Sequence, residues 1–257
     1  VTGEYRRWRA VGVLAAALLI VLGAGQAWRV LAQQAGANNY VYQDGITAVD
    51  LEMDDASARI VPSQDGRVLV SQVSRWTLSA PEITRELDGS TLRISMHCAS
   101  LVAIGPLGCT TDFVIAVPPA TAVTVNGGNS DTNIKGLTGD LKLTASSGSF
   151  ELAGVSGRLS AQVSSGSVTG TAITSADVEA RVSSGSADLT FAAPPQALVM
   201  AAGSGSVRAL LPPGTGYQIR SSIGSGSRDV APGLDDPQST RTITASADSG
   251  AVTLQQG

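Results

Sequence analysis

Six glycines, Gly148, Gly166, Gly185, Gly205, Gly226 and Gly250, recur at spacings of 18, 19, 20, 21 and 24 residues, each in the same apolar frame. Seven, five and three residues before each stand Leu141/Leu143/Ala145, Leu159/Ala161/Val163, Val178/Ala180/Val182, Leu198/Met200/Ala202, Ile219/Ser221/Ile223 and Ile243/Ala245/Ala247. Steps of two are the side-chain period of an extended chain, not of a helix. The alternation resumes two and four residues after the glycine, at Phe150/Leu152, Val168/Gly170, Ala187/Leu189, Val207/Ala209, Arg228/Val230 and Val252/Leu254. A unit this short cannot bury its apolar face alone, so its recurrence predicts stacking of neighbours around a continuous core.

The residues between the two runs predict a corner. Ser-Ser-Gly-Ser fills the position at Ser146–Ser149, Ser164–Ser167 and Ser183–Ser186, and Gly-Ser-Gly-Ser at Gly203–Ser206 and Gly224–Ser227. Glycine supplies a positive φ without steric cost, and serine bonds nearby backbone groups. A second corner reads Gly136-Leu-Thr-Gly139 and again Gly154-Val-Ser-Gly157. Strand, corner, strand, corner predicts an all-β, single-stranded parallel β-solenoid with coils of roughly 20 residues, wound right-handed as parallel crossovers are. The alternative is a β-sandwich, since evenly spaced short strands suit that fold too. Hairpin turns of the Asn-Gly or Asp-Gly type would then be expected.

The N-terminus carries a second signal. Residues 1–9 are basic, with Arg6, Arg7 and Arg9, and an uncharged stretch of 18 residues follows from Ala10 to Ala27, with Trp8 and Trp28 at its ends. A helix of that length nearly spans a hydrocarbon core of about 30 Å. Arginines on the first side place the N-terminus in the cytoplasm, and the tryptophans suit the two interfaces. Residues 10–28 therefore read as a transmembrane anchor. The alternative is a cleaved signal peptide and a secreted chain, for which Gly25-Gln26-Ala27 offers small residues at the cleavage site. On either reading the rest of the chain lies outside the cytoplasm.

Cysteine and charge agree with export. Cys98 and Cys109 are the only cysteines and enclose ten residues, which reads as a structural disulfide in an oxidising compartment. His97 is the only histidine, and two cysteines with one histidine make an incomplete zinc set, so no metal site or cofactor is expected. Residues 1–32 carry four arginines against Glu4, whereas the remainder holds 13 basic and 20 acidic residues. An acidic ectodomain offers no electrostatic footprint for nucleic acid.

Residues 29–39 read as a linker, 40–120 as an irregular β-rich cap and 121–257 as the glycine/serine-rich repeats. The cap is expected to hold strands at Ile46–Met53, Ser57–Val61, Arg67–Val73, Thr91–Met96 and Asp112–Val117. Gly128, which stands 20 residues before Gly148, is expected to be the first repeat corner. An end cap matters because an uncovered coil exposes unpaired backbone and apolar core. The anchor, the first strand Ile46-Thr-Ala-Val-Asp-Leu51 and the Val117-Pro118 step before glycine–serine repeats together resemble the bacterial putative-adhesin family, a β-strand-repeat domain of unknown function. The likeness spans roughly residues 40–256 and implies surface adhesion. Some relatives of that family lie beside envelope-stress genes. It supplies no binding or catalytic residues to carry over.

Polysaccharide-cleaving solenoids need carboxylates converging on one outer face. Three residues after each glycine the outward row reads Glu151, Thr169, Asp188, Arg208, Asp229 and Thr253, with alternating or diluted charge. That order sets Arg208 between Asp188 and Asp229. No nucleophile elbow, phosphate loop or calcium repeat is present. The expected function is thus a non-catalytic surface module for a cell-envelope protein or polysaccharide; the alternative is an accessory sensor of envelope stress acting through a membrane partner. Ten aromatic residues are scattered along the chain, and Trp76, beside Arg75 and Thr77, is the candidate ligand contact among them.

Overall fold

The computed structural model describes residues 34–43, 45–77, 79–98 and 109–257. The basic segment 1–9, the expected anchor 10–28 and the loop residues between the cysteines lie outside the described residues. Within them the chain is all-β, with thirteen strands in one sheet. In chain order the strands are β1 (Gln34–Tyr42), β2 (Ala48–Pro62), β3 (Val68–Trp76), β4 (Glu82–Asp88), β5 (Thr91–His97), β6 (Cys109–Val117), β7 (Ala122–Lys135), β8 (Leu141–Ala153), β9 (Leu159–Ile173), β10 (Asp177–Phe191), β11 (Ala197–Leu211), β12 (Gln218–Val230) and β13 (Thr242–Gln256).

Strands β7 to β11 pair in parallel, each with the next in sequence. The register puts Gly148, Gly166, Gly185 and Gly205 side by side. Each strand reverses its inward parity at this glycine: Leu141, Leu143 and Ala145 are buried before Gly148, and Phe150 and Leu152 after it. All five sit in the same apolar cluster, so the strand turns a corner around the core. The glycines adopt φ between +124° and +146°. Their Cα atoms face the carbonyl oxygen of the residue at the same place on the preceding strand, Ser130 for Gly148 and a glycine for the others, and a Cβ on Gly166 or Gly185 would lie 1.8 Å from that oxygen. Only glycine fits there. The connections add one buried residue each, among them Leu137, Val155 and Ser175, and bond to one another from Ser156 N to Leu137 O and from Thr174 N to Val155 O.

The stacked ladder begins earlier than residue 121. Strand β2 runs parallel to β7, setting Val49, Leu51 and Met53 against Val123, Val125 and Gly127, and Ala56, Ala58 and Ile60 against Ser130, Thr132 and Ile134. Its corner carries Asp54-Asp55 in place of Gly-Ser, which hides it from a search for the motif. Beyond β2 lie β5 on its first half and β6 on its second, both parallel to it. Together they extend the parallel ladder by one more place, with an interruption between His97 and Cys109. The Cys98–Cys109 disulfide closes that interruption, holding the two Cα atoms 5.8 Å apart. Antiparallel strands finish this end: β4 on β5, and β3 then β1 on β6.

Three further expectations are corrected. The segment read as a linker, 29–39, is strand from Gln34 onward, because its small and amide residues follow no apolar alternation yet still bond to the edge of β3. The first corner is not Gly128: Ser130 pairs with Gly148, the same 18-residue step as from Gly148 to Gly166. Ser130 turns its side chain into the space left by Gly127, where a Cβ would lie 1.9 Å from the Ser130 Oγ. Finally, the last two strands stack out of sequence order. Strand β13 inserts between β11 and β12, so that Gly205 neighbours Gly250 and Gly250 neighbours Gly226.

Candidate functional site

The described residues form several recesses, among them one on the stacked strands and one in the cap. The larger opens on the outer face of β6, β2, β7 and β8 and holds about 450 Å³. Alternation after the corner turns Ser57, Asp112, Asp131 and Ser149 outward in one row, paired as Ser57–Asp112, Ser57–Asp131 and Asp131–Ser149. The next outward row is Val114, Arg59, Asn133 and Glu151. Sequence reasoning started that row at Glu151, since neither β2 nor β6 carries the glycine–serine signature. The inward pattern of Ala56, Ala58 and Ile60 was the one signal that could have extended it.

The groove is rich in oriented polar groups. Ser57 donates to Asp112 Oδ1 at 2.5 Å, and Arg75 donates to Asp112 Oδ2 at 2.6 Å. The serine hydroxyl first, and Arg75 after it, hold the Asp112 carboxyl below the usual range against the opposing effect of burial. The Ser149 backbone N–H and hydroxyl both donate to Asp131 Oδ1, at 3.0 and 2.6 Å. Asn133 donates to Glu151 Oε2 at 2.7 Å, while its own Oδ1 is buried without a partner. Arg59 is exposed and forms no ion pair among the described residues.

The second recess lies in the cap, between β1–β3 and β4, and holds about 240 Å³. Inward positions along β3 begin apolar at Val68 and Val70, then become Gln72, Ser74 and Trp76. Gln72 and Ser74 are buried, and Ser74 bonds to Thr111 of β6 at 3.0 Å. Trp76 is half-buried against Gly36, the residue of β1 that leaves room for its ring. From β4 comes Arg85, whose guanidinium stacks 3.9 Å from the Tyr40 ring centre. It donates to Gln72 Oε1 at 2.6 Å and to the Tyr40 hydroxyl at 2.9 Å.

The remaining candidate residues are structural. Cys98 and Cys109 form the disulfide. The corner glycines, Gly148, Gly166, Gly185, Gly205, Gly226 and Gly250, line up at the bend of their strands. Arg208 does not stand between Asp188 and Asp229: its neighbours are Asp188 and Thr253, because β13 occupies the intervening place. His97 bonds to Asp54 at 3.0 Å. Among the described residues no group of three histidine, cysteine, aspartate or glutamate side chains is placed to hold a metal ion, and no helix is long and apolar enough to cross a membrane.

No family model matches the chain, and no curated protein matches its sequence. Among solved structures, a putative cell adhesion protein from Clostridium sporogenes is similar at 14% identity and a TM-score of 0.39, over 87% of this chain and 100% of that one. A putative adhesin from Bacteroides fragilis is similar at 14% identity and a TM-score of 0.43, over 87% and 97% of the two chains. A third, from Parabacteroides distasonis, has 10% identity and a TM-score of 0.28 over the same shares.

Proposed function

We propose that the chain is a non-catalytic, membrane-anchored extracytoplasmic interaction module, adhesin-like in role, that holds a cell-envelope polysaccharide in the groove across β6, β2, β7 and β8. The observation that carries this reading is the groove's mixed lining. Asp112, Asp131 and Glu151 present acceptor oxygens, whereas Arg59 and the Asn133 amide present donor groups. A polyhydroxylated chain presents both kinds of group at every sugar and suits such a surface. Its carboxylates are already held by Ser57, Arg75, Ser149 and Asn133, which preorganises acceptors for a ligand.

The architecture proposed with it is a β-solenoid. The reading is supported by the consecutive parallel pairing of β7 to β11 and the shared corner, which a hairpin-built sandwich would not require. Such a stack keeps the outward rows rigid and evenly spaced at about 4.8 Å, so contacts made at one strand extend to the next.

The test is co-sedimentation of the full-length protein, in detergent micelles, with envelope polysaccharide purified from the source cells. Arg59→Glu and Asn133→Leu should each weaken retention by about tenfold, the loss of one good polar contact. Unchanged retention in both variants removes the groove from the account. Retention of the protein in membranes after carbonate washing checks the anchor.

A further inference from the structure

The cap recess has a chemistry that the groove lacks. Everywhere along β8 to β11 the inward positions are apolar, yet in the cap the interior receives Gln72, Ser74 and the guanidinium of Arg85. Arg85 is half-buried, and no carboxylate faces it among the described residues that line the recess. Its partners there are all neutral, the Tyr40 ring and hydroxyl and the Gln72 oxygen, so the guanidinium meets no counter-charge in the recess. Two of the five guanidinium donors are used, by Gln72 and Tyr40, and three remain. Gln72 accepts through its oxygen and keeps its amide donors, and Asn38 brings another amide to the rim. One wall is the Trp76 ring, with Gly36 of β1 beside its edge.

We propose that this recess is a binding site for a carboxylate-bearing sugar unit of the hexuronate type. The carboxylate would meet Arg85, whose planar fork matches two oxygens, and whose orientation is fixed by Tyr40 and Gln72. The C–H face of the pyranose ring would lie on Trp76, and its hydroxyls would bond Asn38 and the Gln72 amide. The volume of about 240 Å³ is below the roughly 300–1,000 Å³ of drug-sized pockets, so it admits one small ring and not an oligomer in depth. A bare inorganic anion would leave the Trp76 wall and the amide rim unused. The site is separate from the groove and stands or falls independently of it.

The experiment is calorimetric and saturation-transfer titration of the full-length protein in micelles with D-glucuronate, D-glucose and acetate. Glucuronate should bind, more weakly as salt rises, with saturation of its ring protons, and both glucose and acetate should bind about tenfold or more weakly. Arg85→Gln should abolish glucuronate binding, and Trp76→Leu should weaken it by about fivefold or more. Asn38→Leu, at an exposed position, should also weaken it and guards against variants that fail to fold. Arg220→Gln, at an exposed position of β12 outside both recesses, should leave glucuronate binding unchanged. Absence of glucuronate binding to the parent protein overturns the proposal, even if polysaccharide retention at the groove holds. Equal binding of acetate and glucuronate, insensitive to Trp76→Leu, overturns the sugar assignment and leaves a simple anion site.

Discussion

Replacing Gly185 by alanine separates two reasons for the glycine column. A Cβ at Gly185 would lie 1.8 Å from the Gly166 carbonyl oxygen and 2.9 Å from its carbon. A carbon–oxygen contact needs about 3.3 Å, so the strands must part by roughly 1.5 Å out of a spacing of about 4.8 Å. Ladder hydrogen bonds on either side of the corner would stretch beyond use, each with a net worth of about 0.5–1.5 kcal/mol. The backbone, at φ +137°, adds strain of about 1–3 kcal/mol for a residue with a side chain. Together these give a loss of about 4 kcal/mol. Gly154→Ala is the control: φ is +62°, and nothing lies within 4 Å of the added carbon. There the left-handed cost of about 1–2 kcal/mol is offset in part by lost freedom of the unfolded chain, leaving about 1 kcal/mol. Urea denaturation of the full-length protein followed by far-ultraviolet circular dichroism measures both. Hydrogen exchange at the backbone amides of β9 to β11 locates the damage. Losses equal within about 0.5 kcal/mol would refute the argument from close approach between strands.

Ala172 has φ +51° and is the residue in β9 that follows the position paired with Ala153, where the preceding strand has Gly154. Ala172→Gly should therefore raise stability, by about 0.5–1 kcal/mol in the same denaturation assay. The Cys98→Ser/Cys109→Ser pair should lower it by about 2–3 kcal/mol, and the native protein should show no thiol reactive to a maleimide before reduction. His97 titrates above its ordinary value of 6.5, first because Asp54 accepts its hydrogen bond and then because the Asp54, Glu52 and Glu82 charges favour the cation. A raised folded value means that its stabilisation is complete below about pH 6.5 and is lost as pH rises through the folded value. The parent should thus outlast His97→Gln in thermal melts at about pH 5.5, by a small margin because the pair is exposed, and match it at about pH 8.5.

The repeats were readable because glycine is the only residue the corner admits from β8 to β13, which makes the sequence periodic along those strands. Where the corner is built differently the signal fades. Asp54-Asp55 bends β2, and a disulfide spans the interruption between β5 and β6, so the ladder extends through residues that look irregular. The groove inherits this blindness, since half its lining comes from β2 and β6. Trp76 could be singled out as an aromatic residue, but not its partners. Arg85 and Gln72 meet only because two antiparallel extensions of the cap face one another, and β4 has too little apolar alternation to announce itself as a strand.

The inverted order of the last two strands has its reason in their inward rows. Strand β13 turns Ile243, Ala245, Ala247, Val252 and Leu254 to the core, all buried. Such a row gains most when covered on both sides, because each buried methylene contributes about 0.8 kcal/mol. Strand β12 offers Ile219, Ser221 and Ile223 before its corner and Arg228 and Val230 after it, and none of the five is fully buried. Arg228 bonds to Ser221, so the two polar groups satisfy one another at the open end of the stack. Placed between β11 and β13, the same arginine would be sealed against Val207 and Val252 with no carboxylate in the row. The strand order that follows the chain would therefore bury a charge and expose an apolar row, whereas the observed order does neither. A charged residue at the inward position of an end strand also discourages another chain from extending the sheet there. Ser221 and Arg228 were visible in the aligned repeats as the two departures from an apolar frame; the departure itself marked the strand that belongs outermost.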